Sequence, residues 1–177
     1  MQLTLIMEKF ILHWGEMGTR WGVNRTVAQI HALLYLSDEP LDAETITNTL
    51  GVARSNVSTS IKELQSWGLV KTVHVMADRR DHFESLKDLW EITRVIINER
   101  KKREIDPTIT VLRQCVLESD DDKKTSKAVK KRIEDTLSFM EMLDDWYEQM
   151  KDVPTPTITK LMKIGSKITG FLKSSRK

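Results

Sequence analysis

The chain has 177 residues, which is enough for one ordinary domain with an appended segment and for a substantial hydrophobic core. Hydrophobic residues make up 40% and charged residues 31%, with 7 glycines and 4 prolines, so a disordered or fibrous chain is excluded. The formal net charge is only +2, which argues against a protein that coats a polyanion.

Helical periodicity dominates the start of the sequence. Apolar residues recur at spacings of three and four from Leu3 to Met17, which predicts a first helix. We expect the glycines in and after this stretch to end that helix: Gly15, Gly18 and Gly22. A second helix is predicted from about Arg25 to the polar turn at residues 37–40.

Two helices joined by a glycine turn are predicted next. Asp42 is a good N-cap for a short third helix, and Gly51 is the turn residue that follows it. A fourth helix is predicted from Arg54 to Trp67, closed by Gly68. The positions flanking the turn are apolar, as a steep helix crossing requires: Ile46, Leu50, Val52, Val57 and Ile61.

A β-hairpin follows the fourth helix. Residues 69–75 are rich in β-branched side chains and predict one strand, residues 77–81 predict a charged turn, and residues 82–86 predict the returning strand. This order of elements is that of a winged helix-turn-helix. The predicted fold class is therefore mainly α, a winged helix-turn-helix with long flanking helices that form a dimerisation region.

The second half of the chain returns to helical periodicity. A helix is predicted from about Asp88, and we expect Pro107 to kink or restart it. Apolar residues from Val129 to Met150 alternate steps of four and three, which is the spacing of a helix that packs along another helix. The predicted domains are an N-terminal dimerisation helix, a DNA-binding lobe, long helices for dimerisation and effector binding, and a basic amphipathic C-terminal helix: residues 1–22, 23–87, 88–152 and 153–177.

The fourth predicted helix carries a face suited to DNA. Residues 54–62 contain two cations and no acid, so this face can enter a major groove without repulsion from phosphate. Asn can bond an adenine edge, Ser and Thr can reach bases or phosphates, and Arg can bind guanine or the backbone. The predicted DNA-binding residues of this helix are Arg54, Ser55, Asn56, Ser58, Thr59 and Lys62.

The tip of the predicted hairpin adds two further candidates. Arg79 and Arg80 are placed to enter the adjacent minor groove, with Asp78 and Asp81 beside them to orient their side chains. Together with the acid-free helix face, these arginines favour DNA binding. The alternative is an adaptor whose winged helix binds another protein and no DNA.

Several short motifs between residues 26 and 86 form a recognisable set. They are Leu33-Leu34-Tyr35-Leu36-Ser37, Glu39-Pro40-Leu41, Leu50-Gly51-Val52, Ser55-Asn56-Val57-Ser58, Leu64, Trp67-Gly68-Leu69-Val70 and Asp78-Arg79-Arg80-Asp81. The set resembles the DNA-binding lobe of the MarR superfamily, especially its GbsR-type branch. The resemblance implies a dimeric transcriptional repressor, released by a small effector, whose wing arginine (Arg79 or Arg80) reaches the minor groove. Residues 21–26 lack the Gly/Pro pattern expected of this branch, which is linked with glycine betaine genes, so no effector identity follows.

The apolar stripes outside the lobe predict a homodimer. The stripes of residues 3–17 and 129–150 exceed what one small lobe can cover. A two-fold dimer would place two recognition helices about 34 Å apart on a pseudo-palindromic operator of double-stranded DNA. The alternative is that the two stripes pack on each other within one chain.

The C-terminal segment has an apolar face and a lysine face. The apolar residues are Ile158, Leu161, Met162, Ile168, Phe171 and Leu172, and the lysines are Lys160, Lys163 and Lys167. We expect this segment to pack against the partner subunit, ahead of contact with DNA phosphates and, last, with an anionic membrane. Residues 153–177 carry six cations and no acid, so the small net charge results from cancellation against an acidic body.

Aromatic residues are candidates for an effector pocket. Such a pocket could attract a quaternary ammonium group through cation–π contacts, although ordinary packing is the favoured interpretation. The five candidates are Trp14, Trp21, Tyr35, Trp67 and Trp90.

Other chemistry is not indicated by the sequence. The lone Cys115 excludes an internal disulfide and a cysteine-based zinc cluster, and the four histidines lack paired metal-ligand spacing. No phosphate loop or nucleophile motif is present, so we expect no enzyme, no metal and no cofactor. Without a signal-peptide pattern or an apolar run near ~20 residues, we expect a cytoplasmic protein without stable membrane association.

Overall fold

The computed structural model describes residues 2–174 of the chain, and the side chains of residues 2–165. One compact unit ends at Ile97 and a second begins at Asn98. The elements of the first half are α1 (Leu5–Arg20), α2 (Arg25–Leu36), β1 (Leu41–Asp42), α3 (Ala43–Leu50), α4 (Arg54–Ser66), β2 (Val70–Val73), β3 (His82–Ser85) and α5 (Leu89–Arg100). A π-helical turn (Lys101–Ile105), α6 (Asp106–Ser119), α7 (Lys127–Met150) and α8 (Thr155–Ser174) follow. The mainly α class with one hairpin agrees with the prediction.

Helix α2 is the centre of the first unit. Seven of its twelve residues are buried, and α1, α3, α4 and β3 all pack against it. Burial of a Leu or Ile side chain contributes about 1.5–3 kcal/mol, so this helix anchors the unit. The fully buried large side chains of the unit are Ile11, Ile30, Leu33, Leu34, Ile46, Val57, Leu64 and Leu69.

The prediction that Gly15 and Gly18 end the first helix is wrong, because α1 continues through both to Arg20; Gly22, with φ +77°, does follow the end of the helix. Gly15 and Gly18 are buried where α1 meets α2. A Cβ added to Gly18 would lie 2.5 Å from the Cβ of Ala28, and one added to Gly15 would lie 2.6 Å from Cγ of Gln29. The two glycines therefore allow the helices to approach closely, rather than breaking the helix.

A three-stranded antiparallel sheet has the order β1-β3-β2. The hairpin of β2 and β3 was predicted, whereas β1 was not, because a two-residue strand has no readable periodicity. In its register Leu41 lies opposite Phe83 and Asp42 lies opposite His82. This pairing brings the start of α3 beside the loop end of the hairpin, where β3 begins.

The second unit contains an antiparallel pair formed by α6 and α7. Pro107 lies in the first turn of α6, directly after the π-helical turn, so the helix restarts there as predicted. Lys101 bridges the two helices, because its Nζ lies 2.7 Å from Oδ1 of Asp106 and 3.0 Å from Oδ1 of Asp144. Arg113 pairs with Glu141 further along the helices.

Helix α7 has one half-buried face and one exposed apolar face. No residue of α7 is fully buried; Ile133, Met140 and Tyr147 of the predicted stripe are half-buried. Exposed apolar side chains lie beside them at spacings of three and four: Phe139, Met142, Leu143 and Trp146.

The C-terminal helix α8 forms after Pro154, within the predicted basic segment. Leu161 and Met162 of its predicted apolar face are exposed. The side chains of Lys167, Ile168, Phe171 and Leu172 lie outside the described residues. Among the helices that the structure describes, none combines the length and the low polarity that a membrane crossing requires.

Candidate nucleic-acid interface

The predicted helix-turn-helix is present, and its turn is held by side-chain and backbone geometry. Asp42 caps α3, since its Oδ1 accepts hydrogen bonds from the backbone N–H groups of Glu44 at 2.9 Å and Thr45 at 3.2 Å. Gly51 ends α3 with φ +64°, a left-handed conformation that favours glycine. The chain then begins α4 at Arg54.

Helix α4 separates an apolar face from a polar one. Val57, Ile61 and Leu64 are buried against the first unit's core. All six residues predicted to bind DNA on this helix are exposed: Arg54, Ser55, Asn56, Ser58, Thr59 and Lys62. The exposed strip therefore presents two cations and four small polar side chains.

The N-terminus of α4 differs from those of α1, α2, α3 and α7. Each of those helices has a side-chain cap, whereas Ala53 at the N-cap of α4 makes no side-chain cap hydrogen bond and the first turn holds no acid. Free amide groups at a helix N-terminus favour an anion. Sequence reasoning missed this feature, although an Ala at an N-cap position is a readable signal.

The hairpin tip, here called the wing (residues 74–81), holds its two arginines differently. Nε of Arg80 donates to Oδ1 of Asp78 at 3.0 Å, and its Nη1 lies 3.2 Å from Oδ2 of Asp42. The Arg79 side chain is exposed and makes no hydrogen bond or ion pair with any described residue. Asp78 thus orients Arg80, whereas Asp81 contacts neither arginine in the described part of the chain.

The two carboxylates that hold Arg80 stay ionised. Hydrogen bonds from the Arg80 side chain and backbone lower the pKa of Asp78. Burial opposes ionisation of Asp42, but hydrogen bonds from Thr45 and Glu44 and the nearby Arg80 offset it, so the pKa of Asp42 lies below its usual value. At neutral pH the wing base is therefore tied to the start of α3 by opposite charges.

The segment from the end of α1 to the wing matches a known family. Residues 21–81 match the family model described as MarR family. Over this segment the chain resembles MarR-family proteins. The match spans the helix-turn-helix and most of the hairpin, which are the elements that carry the sequence motifs.

Two further comparisons extend the likeness beyond the matched segment. The HTH-type transcriptional repressor GbsR of Bacillus subtilis (strain 168) is 22% identical over 157 residues, which cover 83% of this chain and 85% of that protein. This relative confirms the resemblance to the GbsR-type branch. A crystal structure of a transcriptional regulator matches with a TM-score of 0.63 at 15% identity, covering 82% of this chain and 95% of that one, and confirms the fold.

A second feature of the structure is a cavity of about 230 Å³ in the first unit. Trp14 and Tyr35 line it, as two of the five aromatic residues predicted for an effector pocket. The other three do not line it: Trp67 packs against the core, Trp90 is half-buried and Trp21 is half-exposed. The remaining lining residues are Phe10, His31, Ala32, Leu89 and Ile92.

His31 is the one ionisable lining residue with a buried side chain, and sequence reasoning missed it. The residue is only 5% exposed, and its Nε2 has no hydrogen-bond partner among the described residues. Burial, with a smaller effect of the Lys87 charge, lowers the pKa of His31 to about 4. The imidazole is therefore neutral at pH 7.

Lys87 stabilises the end of α2 from outside that helix. Its Nζ donates hydrogen bonds to the carbonyl oxygens of Leu34 at 2.7 Å and Tyr35 at 3.0 Å, and also to that of Ser37. These are carbonyls that the helix itself leaves unsatisfied. No cluster of three potential metal ligands occurs among the described residues.

Proposed function

We propose that this chain is a dimeric, sequence-specific transcriptional repressor that inserts α4 into the major groove and the wing into the minor groove. The observation that carries the proposal is the acid-free exposed face of α4, beside a wing arginine whose charge is unshared. Phosphate repels acids strongly, so a face of this length without any acid favours a polyanionic partner. A protein-binding adaptor has no need for such a face.

Base reading falls to the small polar side chains near the start of α4. Asn56 suits an adenine edge, and Ser55 and Thr59 suit either bases or phosphates. Arg54 stands at the uncapped N-terminus, where its charge and the free amides together favour a phosphate. Ser58 and Lys62 complete the contact surface as backbone contacts.

The two wing arginines receive separate roles. Arg80 donates to two carboxylates, so much of its charge is neutralised and its function is to hold the wing against the start of α3. Arg79 is exposed and unpaired among the described residues, and it is the minor-groove residue.

Dimerisation is assigned to the exposed stripe of α7, defined as Phe139, Met142, Leu143 and Trp146. Four large apolar side chains at i, i+3, i+4 and i+7 on one helix would be costly to leave in water. In a two-fold dimer, the same stripe of the partner subunit covers these side chains. The dimer then offers two α4 helices to the two halves of an operator.

Regulation by a small effector is assigned to the 230 Å³ cavity lined by α1, α2 and α5. Its walls are mostly apolar, as is usual for small-molecule sites. As a DNA-binding regulator the protein acts in the compartment that holds the DNA, the cytoplasm.

Fluorescence anisotropy on a labelled 30-base-pair DNA fragment tests the proposal at several salt concentrations. We expect log K to fall linearly with log[salt], because each phosphate contact releases counterions. An Arg54→Ala/Lys62→Ala double variant should lower that slope by about two, whereas Arg20→Ala, an exposed arginine at the end of α1, should leave it unchanged. Absence of any salt-dependent binding would support the protein-binding adaptor instead.

A further inference from the structure

The tip of the wing exposes apolar side chains where a surface loop ordinarily carries polar ones. Met76 is 96% exposed, which is the highest value among the large apolar side chains that the structure describes, and the adjacent Val75 is 40% exposed. Neither side chain belongs to the hydrophobic core of the first unit. Their apolar character therefore does not serve the packing of this unit, and it is available to a partner.

The backbone at the tip forms a tight turn in a strained conformation. The backbone N–H of Asp78 donates to the carbonyl oxygen of Val75 at 3.1 Å, so Met76 and Ala77 are the two central residues of the turn. Ala77 has φ +65°, and no other residue except glycine has a positive φ in the described part of the chain. Glycine would adopt this conformation at less cost. Strain of this kind persists where surrounding contacts hold it, and it is often found at binding sites.

The contacts that hold this turn lead back to α3. Oδ1 of Asp78 accepts a hydrogen bond from the backbone N–H of Arg80 at 3.0 Å, and the Arg80 side chain bridges Asp78 and Asp42. At the start of β3, Nδ1 of the buried His82 lies 3.0 Å from the carbonyl oxygen of Arg80. The loop is therefore braced directly after its tip, as it must be if a side chain at the tip is to press into another molecule.

The chemistry of the tip fits the interior of a base stack. Proteins that bind the minor groove insert apolar side chains between neighbouring base pairs, and methionine is among the residues they use. The methionine side chain is unbranched and flexible, so it can enter a narrow gap. Arg79, three residues further along the chain, is exposed and supplies the positive charge that the groove attracts.

We propose that Met76 acts as a wedge, which enters the minor groove together with Arg79, partly separates two stacked base pairs and bends the operator. The inference rests on the DNA-binding function proposed above, and it adds a deformation of the DNA to the groove contact assigned to Arg79. Base pairs separate most easily at pyrimidine–purine steps such as TA and CA. The wing therefore selects such a step without a hydrogen bond to any base.

Fluorescence of 2-aminopurine, an adenine analogue that brightens when it loses its stacking, tests the wedge on a DNA fragment that carries a motif selected from random DNA. The analogue replaces each adenine of a half-site in turn. We expect the native chain to raise the fluorescence at one step, and circular-permutation electrophoresis to show a bend of at least about 20°. Met76→Ala should lose both signals, whereas Met76→Leu, which keeps a large apolar side chain, should retain them.

Salt dependence separates the wedge from the charged contacts. Met76 carries no charge, so Met76→Ala should leave the slope of log K against log[salt] unchanged, in contrast to Arg79→Ala. Replacing the unstacked step by AA, which is stiffer, should weaken binding of the native chain about tenfold. The same replacement should leave binding of the Met76→Ala protein nearly unchanged, because that protein does not separate the base pairs.

Two results would overturn the wedge while leaving DNA binding intact. One is a native complex that shows neither a 2-aminopurine signal nor a bend. The other is a Met76→Ala complex that keeps both signals, which would leave the apolar tip for a protein partner. Absence of any DNA binding by the native chain would contradict the proposed function itself, and the wedge with it.

Discussion

At the scale of single residues, the two neighbouring wing arginines illustrate how partners decide roles. Both are exposed cations in the sequence DRRD, and nothing local distinguishes them. The contact of Arg80 with Asp42 depends on the pairing of β1 with β3, which brings together residues 38 positions apart. Only the folded chain shows that Arg80 is engaged and Arg79 is not.

Replacing Arg79 by Ala should weaken DNA binding and lower the slope of log K against log[salt] by about one, with no change in thermal stability. Arg80→Ala should weaken binding while also lowering the melting temperature, because the ion pairs that hold the wing are lost. Anisotropy and thermal unfolding on both variants check this. An unchanged slope for Arg79→Ala would show that Arg79 does not contact DNA.

The pH dependence of the free energy of unfolding should show the protonation of His31. The folded protein holds the imidazole neutral with a pKa of about 4, whereas in the unfolded chain the imidazole keeps its ordinary pKa of 6.5. Between these values the unfolded state binds more protons, so stability is fully present above pH 6.5 and falls as pH decreases toward 4. The loss reaches about 3 kcal/mol by pH 4.

Urea unfolding of the native chain and of His31→Leu across pH 4–7 measures this contribution. The variant should lose much less stability through the window, since the carboxylates of Asp42 and Asp78, whose pKa values are lowered, titrate below it, and only the acid end of the window includes the exposed Glu148, whose pKa is also lowered. Parallel profiles for the two proteins would show that His31 is not buried neutral.

At the scale of elements, the contact between α1 and α2 depends on two glycines that a sequence pattern misrepresents. Gly18 faces the methyl group of Ala28, which cannot move aside, whereas Gly15 faces the flexible side chain of Gln29. Gly18→Ala should therefore destabilise the protein by about 1–3 kcal/mol through overpacking. Gly15→Ala should be nearly neutral, because Gln29 can rotate and Ala favours the helix.

Chemical denaturation of both glycine variants under the same conditions distinguishes these two effects. Equal destabilisation would mean that neither neighbour yields. Equal stabilisation would mean that α1 and α2 lie further apart than the 2.5 Å between Ala28 Cβ and a Cβ added to Gly18 implies.

Local signals predicted the helix-turn-helix well, because the cap at Asp42, the turn at Gly51 and the periodicity of α4 are properties of neighbouring residues. Contacts between helices could not be predicted from the sequence. The close approach at Gly18 and the unpaired nitrogen of His31 depend on which helix packs against which. The exposed polar face of α4 could be predicted from its pattern, whereas the cavity lined by His31 could not.

At the scale of the whole molecule, the distribution of charge and apolar surface favours a dimer that contacts DNA through a few cationic segments. Residues 51–83 and 153–177 carry a cationic excess on a chain with a net charge of only +2. The α7 stripe supplies an apolar surface without a partner in the described unit.

Trp146→Lys should disrupt the dimer, because a charge placed within the stripe would be buried by the partner. Glu134→Lys, at an exposed position of α7 outside the stripe, should leave it intact. Sedimentation velocity at micromolar concentration measures both. If the Trp146→Lys protein is still a dimer, the interface lies outside the stripe. If the native protein is a monomer, the proposed dimer is wrong.

The most direct test of a dimeric DNA-binding regulator is the selection of binding sites from a pool of random double-stranded DNA. We predict a recovered motif with two inverted half-sites whose centres lie about 10 base pairs apart, one helical turn, since two-fold symmetry of the protein imposes two-fold symmetry on the site. Recovery of no enriched motif, or of one without inverted symmetry, would contradict the proposed function.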